Sequence, residues 1–133
     1  VCIMSEGNTL GKKKFITPED LVNEPMIHSR RDSAFYRKLE EVFTLHKVKI
    51  NSWIETRQFN SACMLVAEGR GISIVSEMDA REYESRGLII KPFTPVIPHT
   101  LMLVRPKHTA LSTIALEFLD FFESSLEPFR LKS

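Results

Sequence analysis

The sequence has 133 residues, 43% hydrophobic and 26% charged, which is enough chain for one hydrophobic core and little more. Its 18 basic residues nearly balance its 17 acidic ones, so composition carries no electrostatic footprint for nucleic acid. No apolar run approaches the length of a membrane span, and the first residues lack the pattern of a secretory signal.

Val1-Cys2-Ile3-Met4 is a strand-like run with no initiating methionine. A start inside such a run leads to the expectation of a piece of a longer protein. Ser5 to Lys14 is polar and contains glycine, as loops do. Thr17-Pro18-Glu19-Asp20-Leu21 then spells a short helix, with Thr17 as N-cap, Pro18 at the first helical position and acids in the first turn. Pro25 closes that element, and Met26-Ile27-His28 reads as a short buried strand. Asp32 or Ser33 caps the next helix, whose buried stripe is Phe35, Leu39, Val42 and Phe43, with Arg37, Lys38, Glu40 and Glu41 outside. Val48, Ile50 and Ile54 fit a further strand, interrupted by Asn51-Ser52.

Phe59 to Ala80 is the most ordered stretch to read. Phe59, Ala62, Cys63 and Val66 share one helical face. Gly69 and Gly71 follow the last periodic residue, where a helix C-terminus takes glycine. Ile72, Ile74 and Val75 form a short β-branched run suited to a covered sheet. Ser76 caps the following helix, with Glu77 and Asp79 at its positive end. That helix runs from Glu77 to Arg86 and stops at Gly87. Leu88-Ile89-Ile90 is another strand, and Pro92, Pro95 and Pro98 keep the next loop extended. Thr100 to Val104 reads as a returning strand. Leu111, Ile114, Ala115, Phe118 and Phe122 mark an amphipathic helix from about Ala110 to Leu126. Strands alternating with helices predict an α/β sandwich on a mostly parallel sheet.

Chemistry-bearing motifs are sparse. Cys2 and Cys63 have no CxxC pairing and fit reduced thiols in a cytoplasmic protein. The four histidines, His28, His46, His99 and His108, show no metal spacing. Gly69-Arg70-Gly71 is only the front of a GxGxxG, with Ile74 in the place of the last glycine. GxSxG, P-loop and HExxH patterns are absent, and Cys63 lies on a buried stripe where a thiol is inert. The expectation is a binding module with no catalytic residues, no metal and no cofactor.

The segment LVAEGRGISIVS resembles the helix–GxG–strand segment of the effector-binding domain of LysR-type transcriptional regulators, commonly LVaaGlGialLP. Arg70 departs from a usual apolar residue and adds positive charge at the bend; Ser76 departs from a common proline. FITPEDLVNEPMI is similar to the family's "it..dLa..pfi" segment. LIIKPFTPVIPHTLMLVRP resembles its "Lv.lpf" run with the returning strand, and LSTIALEFLDFF its C-terminal helix. The order of these segments is more specific than any one of them.

The resemblance implies a type 2 periplasmic-binding-protein-like α/β fold with two lobes around a ligand cleft, this chain being mostly the second lobe. It places the second lobe at residues 13–98, and assigns 1–12 and 99–133 to crossing strands and to the C-terminal helix of the first lobe. It further implies self-association into a dimer or tetramer and DNA contact only through an N-terminal winged helix-turn-helix outside residues 1–133.

Ligands in open α/β sheets sit beyond the carboxyl ends of strands, where helix N-termini present free N–H groups. Two such junctions are readable: Ser29, Arg30 and Arg31 after the Met26 strand, and Thr56, Arg57 and Gln58 after the Trp53-Ile54 strand. In the resembling family both commonly line the cleft. Hydroxyls, guanidinium groups and a helix N-terminus suit a carboxylate. The same residues have plainer readings, since Arg30-Arg31 also fits a solvated turn, and Ser29 and Thr56 also fit helix caps. Trp53 reads as core or interface packing rather than a ligand platform. Three functions fit this pattern: the regulatory domain of a LysR-type regulator, a transport-type solute-binding protein of the same fold, and an enzyme lobe of that fold.

Overall fold

The computed structural model describes residues 1–108 and 110–130. They fall into two compact units, residues 1–99 and residues from 100 onward. The first unit is built on a five-stranded sheet: β1 (Cys2–Ser5), β2 (Met26–Ser29), β3 (Ser52–Thr56), β4 (Ile72–Ile74) and β5 (Leu88–Lys91). Their order across the sheet is β3-β2-β4-β1-β5. β2 runs parallel to both β3 and β4, whereas β1 is antiparallel to β4 and β5. One reversed strand in an otherwise parallel sheet satisfies the expected architecture.

Alternation along each strand sends side chains to two separate cores. Cys2, Met4, Met26, Ile72 and Ile74 pack on one face with Phe35, Tyr36, Leu39 and Phe43 of α1 (Ala34–Leu45). Ile3, Ile27 and Val75 pack on the other with Ala62, Cys63 and Val66 of α2 (Phe59–Ala67) and Ala80 of α3 (Glu77–Arg81). The result is a helix–sheet–helix sandwich. Phe43, 1% exposed, stacks on Phe93 with ring centroids 6.2 Å apart, and burying a ring of that size is worth about 2–3 kcal/mol.

The local signals behave largely as the residues dictate. Ser33 caps α1 by accepting the Tyr36 N–H at 3.0 Å. Ser76 caps α3 by accepting the Asp79 N–H at 3.2 Å. Pro18–Leu21 closes as a single 3-10 turn, with the Thr17 N–H donating to Asp20 Oδ2 at 3.1 Å. Gly71 adopts φ +146°, and a Cβ there would clash with the Pro25 carbonyl oxygen at 2.4 Å. Only glycine lets the chain pass that close before entering β4.

Four expectations need correcting. The third strand begins at Ser52, not Val48; Val48 and Ile50 instead pack against the α1-side core from the preceding loop. Trp53 is not core: it is 65% exposed. The β2–β3 register slips between Met26 and Ile27, so Trp53 has no partner across the ladder and the strand bulges there. The helix after Ser76 is five residues long, followed by a separate 3-10 turn at Glu84–Arg86 that ends on Gly87. Residues 100–104 form no strand, and Leu101, Met102, Leu103 and Val104 are each more than half exposed. Apolar content alone does not make a strand where no ladder satisfies its backbone.

The second unit carries α4 (Thr113–Leu126), capped by Ser112, whose Oγ accepts the Ala115 N–H at 3.2 Å. Phe118 and Phe122 stack one turn apart at 5.9 Å between centroids, and Ile114, Phe118 and Phe121 are well exposed.

Candidate functional site

The parallel register brings the two candidate junctions together. Ser29 pairs with Thr56 at the carboxyl ends of neighbouring strands, and His28 pairs with Glu55 one residue earlier. From these ends the chain enters α1 and α2, so two helix N-termini are presented at one edge of the sheet. Their first-turn N–H groups have no partner within their own helices.

The two termini differ in how they are closed. Ser33 caps α1, and its Oγ also lies 3.1 Å from Ser29 Oγ. The N-cap of α2 is Gln58, which makes no side-chain capping bond. Thr56 Oγ1 donates to the Gln58 carbonyl oxygen at 3.2 Å, so it fixes the turn and leaves the α2 N–H groups uncovered. Neither Ser29 nor Thr56 therefore acts as a helix cap.

The three arginines are in different situations. Arg30 is ion-paired with Asp32 two residues on, with a second bond from Nε to Oδ1 at 3.0 Å. Arg31 reaches across to β3, its Nη2 3.4 Å from Ser52 Oγ and its Nε 3.9 Å from Glu55 Oε2. Arg57 is exposed and, among the described residues, makes neither an ion pair nor a side-chain hydrogen bond. A guanidinium without an internal partner beside an uncapped helix N-terminus is positioned to meet an anion.

Three further residues pack around the junctions. His28 is buried, and its ring nitrogens face the Ser29 carbonyl oxygen at 2.8 Å and Ser52 Oγ at 2.7 Å. Tyr36 packs on that imidazole at 4.7 Å between centroids, and burial raises its phenol above the ordinary value. The buried strand Met26-Ile27-His28 already signalled His28, whereas Tyr36 sits beside Phe35 at the start of the α1 stripe. Nearby, His99 meets Phe35 at 5.9 Å and Phe59 at 5.3 Å, which links the start of both helices to the residue preceding the second unit.

A separate open depression of about 430 Å³ lies among Asn8, Pro25, Trp53 and Arg70. It belongs to the amino ends of β2 and β4, the opposite edge of the sheet from Ser29 and Thr56. The C-terminal end of α2 faces it, and there Arg70 sits just past the helix, where a cation complements the dipole. The helix N-termini and paired hydroxyls favour the other edge. Among the described residues no three or more His, Cys, Asp or Glu side chains are grouped to hold a metal, and no helix is long and apolar enough to cross a membrane.

An α/β lobe that gathers helix N-termini and hydroxyls at the carboxyl edge of its parallel strands belongs to the class of small-molecule binding modules. Residues 1–127 match the family of the LysR substrate binding domain, and the chain belongs to that family. It is 33% identical over 126 residues to the transcriptional activator protein LysR of Escherichia coli, covering 95% of this chain and 40% of that protein. It is 32% identical over 125 residues to the transcriptional activator CmpR of Synechocystis, covering 91% and 40%. The chain thus spans about two fifths of these curated relatives, which carry the names of transcriptional regulators. Among solved structures, the regulatory domain of Synechocystis CcmR in complex with 2-PG superposes with a TM-score of 0.67 at 20% identity, covering 96% of this chain and 62% of that one. The effector binding domain of QuiR in complex with shikimate gives 0.66 at 17% identity, covering 98% and 62%. The fold is the periplasmic-binding-protein-like fold of LysR effector-binding domains.

Proposed function

We propose that this chain is the ligand-sensing part of a cytoplasmic LysR-type transcriptional regulator, made mostly of the second lobe of its effector domain. It binds a small metabolite bearing a carboxylate at the paired junctions of β2 and β3. The observation that carries this reading is the in-register pair Ser29 and Thr56, next to an uncapped α2 N-terminus with Arg57 beside it. Ser29 and Arg31 hold one side of the anion; Thr56, Arg57 and the first turn of α2 hold the other. Small ligands in the CcmR and QuiR domains support binding by this fold, and the regulator names of the relatives favour regulation over transport or catalysis.

Mechanism is then a matter of linkage. A ligand that prefers the closed form of a two-lobed cleft shifts the lobe populations. Contacts between subunits of a dimer or tetramer transmit that shift to a winged helix-turn-helix, the only part of the regulator that meets DNA. The test uses the intact regulator and a panel of small carboxylates, screened by thermal shift and titrated calorimetrically. Arg57→Ala should weaken the hit by roughly ten- to a hundredfold, the loss of one charge-assisted contact of about 1.5–3 kcal/mol, with melting temperature unchanged. Equal affinity in a normally folded Arg57→Ala protein would remove the junction as the site.

A further inference from the structure

The imidazole of His28 is the most enclosed polar side chain near the candidate site, at 1% exposure. One of its hydrogen bonds fixes the role of a ring nitrogen. A carbonyl oxygen only accepts, so the Nδ1 that lies 2.8 Å from the Ser29 carbonyl carries the proton. In the neutral ring Nε2 is then an acceptor, and the Ser52 hydroxyl 2.7 Å away donates to it. With its only proton committed inward, the Ser52 oxygen turns its lone pairs outward. There Arg31 Nη2 approaches at 3.4 Å, as a guanidinium that only donates must. Tyr36 packs against the imidazole at a tilt of 47°, and the two hydrogen bonds hold the ring in one orientation. Each member of the chain from Arg31 through Ser52 and His28 to the Ser29 carbonyl therefore fixes the polarity of the next.

We propose that His28 is a positioning residue for Arg31: as the Nδ1-protonated tautomer it orients the Ser52 hydroxyl and thereby holds the Arg31 guanidinium against β3, between Ser52 and Glu55. Its value for ligand binding rests on the effector reading given above; the positioning itself does not. A guanidinium held against β3 has already lost much of its side-chain freedom before an anion arrives. Glu55, whose Oε2 lies 3.9 Å from Arg31 Nε, steadies the same group from the side.

The test is nitrogen-15 NMR of the protein, which needs no effector. Long-range proton–nitrogen spectra should show His28 protonated at Nδ1 and bare at Nε2. The Arg31 Nη2 protons should exchange more slowly with solvent than those of Arg57, and about fivefold faster in Ser52→Ala, the loss expected for one ordinary hydrogen bond. His28→Gln, which returns an acceptor to the Ser52 hydroxyl, should keep most of that protection. His28→Leu should lose it to the extent Ser52→Ala does. Ser52 is exposed, so its variant folds even if a buried His28 replacement does not. A His28 ring carrying a proton on Nε2, or an Arg31 exchange rate indifferent to Ser52→Ala, would overturn the proposal. Those results leave the Arg57 titration untouched, so failure of positioning and failure of the effector site remain distinguishable.

Discussion

Replacing Gly71 with alanine tests whether the entry into β4 is fixed by close approach of two backbones. Gly71 has φ +146°, and a Cβ there would lie 2.4 Å from the Pro25 carbonyl oxygen, inside van der Waals contact. That oxygen accepts the Ile72 N–H at 2.9 Å, the bond that starts the pairing of β2 with β4. An L residue at this φ costs about 1–3 kcal/mol. Forcing a methyl against an immovable carbonyl adds about 1–3 kcal/mol more. A combined loss of about 4 kcal/mol, the middle of the summed range, would take a large share of the stability of a typical domain. Gly69 provides the internal control: it also has positive φ, +72°, but an added Cβ would meet only Ser5 Oγ at 3.9 Å. Gly69→Ala should cost about 1–2 kcal/mol, the backbone strain alone. Urea unfolding followed by far-ultraviolet circular dichroism separates the two. With a slope near ~1.5 kcal/mol per molar, Gly71→Ala should lower the midpoint by about 2 M or more, and Gly69→Ala by about 1 M. Equal midpoints for the two variants would refute the claim that Pro25 crowds the entry.

Ser73 Oγ is buried with no hydrogen-bond partner, so Ser73→Ala should leave stability unchanged or raise it by up to about 1 kcal/mol; a clear loss in the urea midpoint would mean the hydroxyl is satisfied. The Glu19 carboxyl, 2.6 Å from His46 Nδ1, is held down to about 2, first by that hydrogen bond. Its folded value lies below the ordinary 4.5, so its stabilising contribution is full above that pH and vanishes as pH falls toward 2. His46→Ala should return Glu19 toward the ordinary value in an NMR titration, and an unmoved Glu19 would assign the effect elsewhere. Burial pushes the Cys63 thiol up to about 12 and raises Cys2 further. Neither should react with an aromatic disulfide reagent until the protein is unfolded; rapid labelling of the native protein would contradict the buried positions.

Local chemistry explains what the sequence disclosed. Caps, glycine stops and β-branched runs act over a few residues, so α1, α2, β4 and the capped start at Ser76 were legible from spacing. β3 was misjudged because it is an edge strand with a bulge, and half of its pattern is written for solvent. Val48 and Ile50 looked like strand residues because burial, not pairing, is what an apolar residue records. Residues 101–104 carried the same ambiguity. At the candidate site, the strand-end rule found Ser29 and Thr56, which the parallel register sets side by side. It could not find Ser52 or the role of His28. Their alignment depends on the one-residue slip between Met26 and Ile27, a property of two strands together.

The position of β1 has a consequence for how the protein is made. Cys2 pairs with Ile74 on one side and Lys91 on the other. A ribosome adding about 5–20 residues per second therefore exposes this apolar strand for roughly 5–20 s before its second neighbour exists. Until β4 emerges, its backbone groups have no neighbouring strand to pair with, and until β5 follows, one of its edges stays open. The nascent chain is thus most vulnerable to mispairing or chaperone capture while β2, β3 and β4 are being assembled. Closing the sheet is a late event, set by the length of chain between its first and last strands.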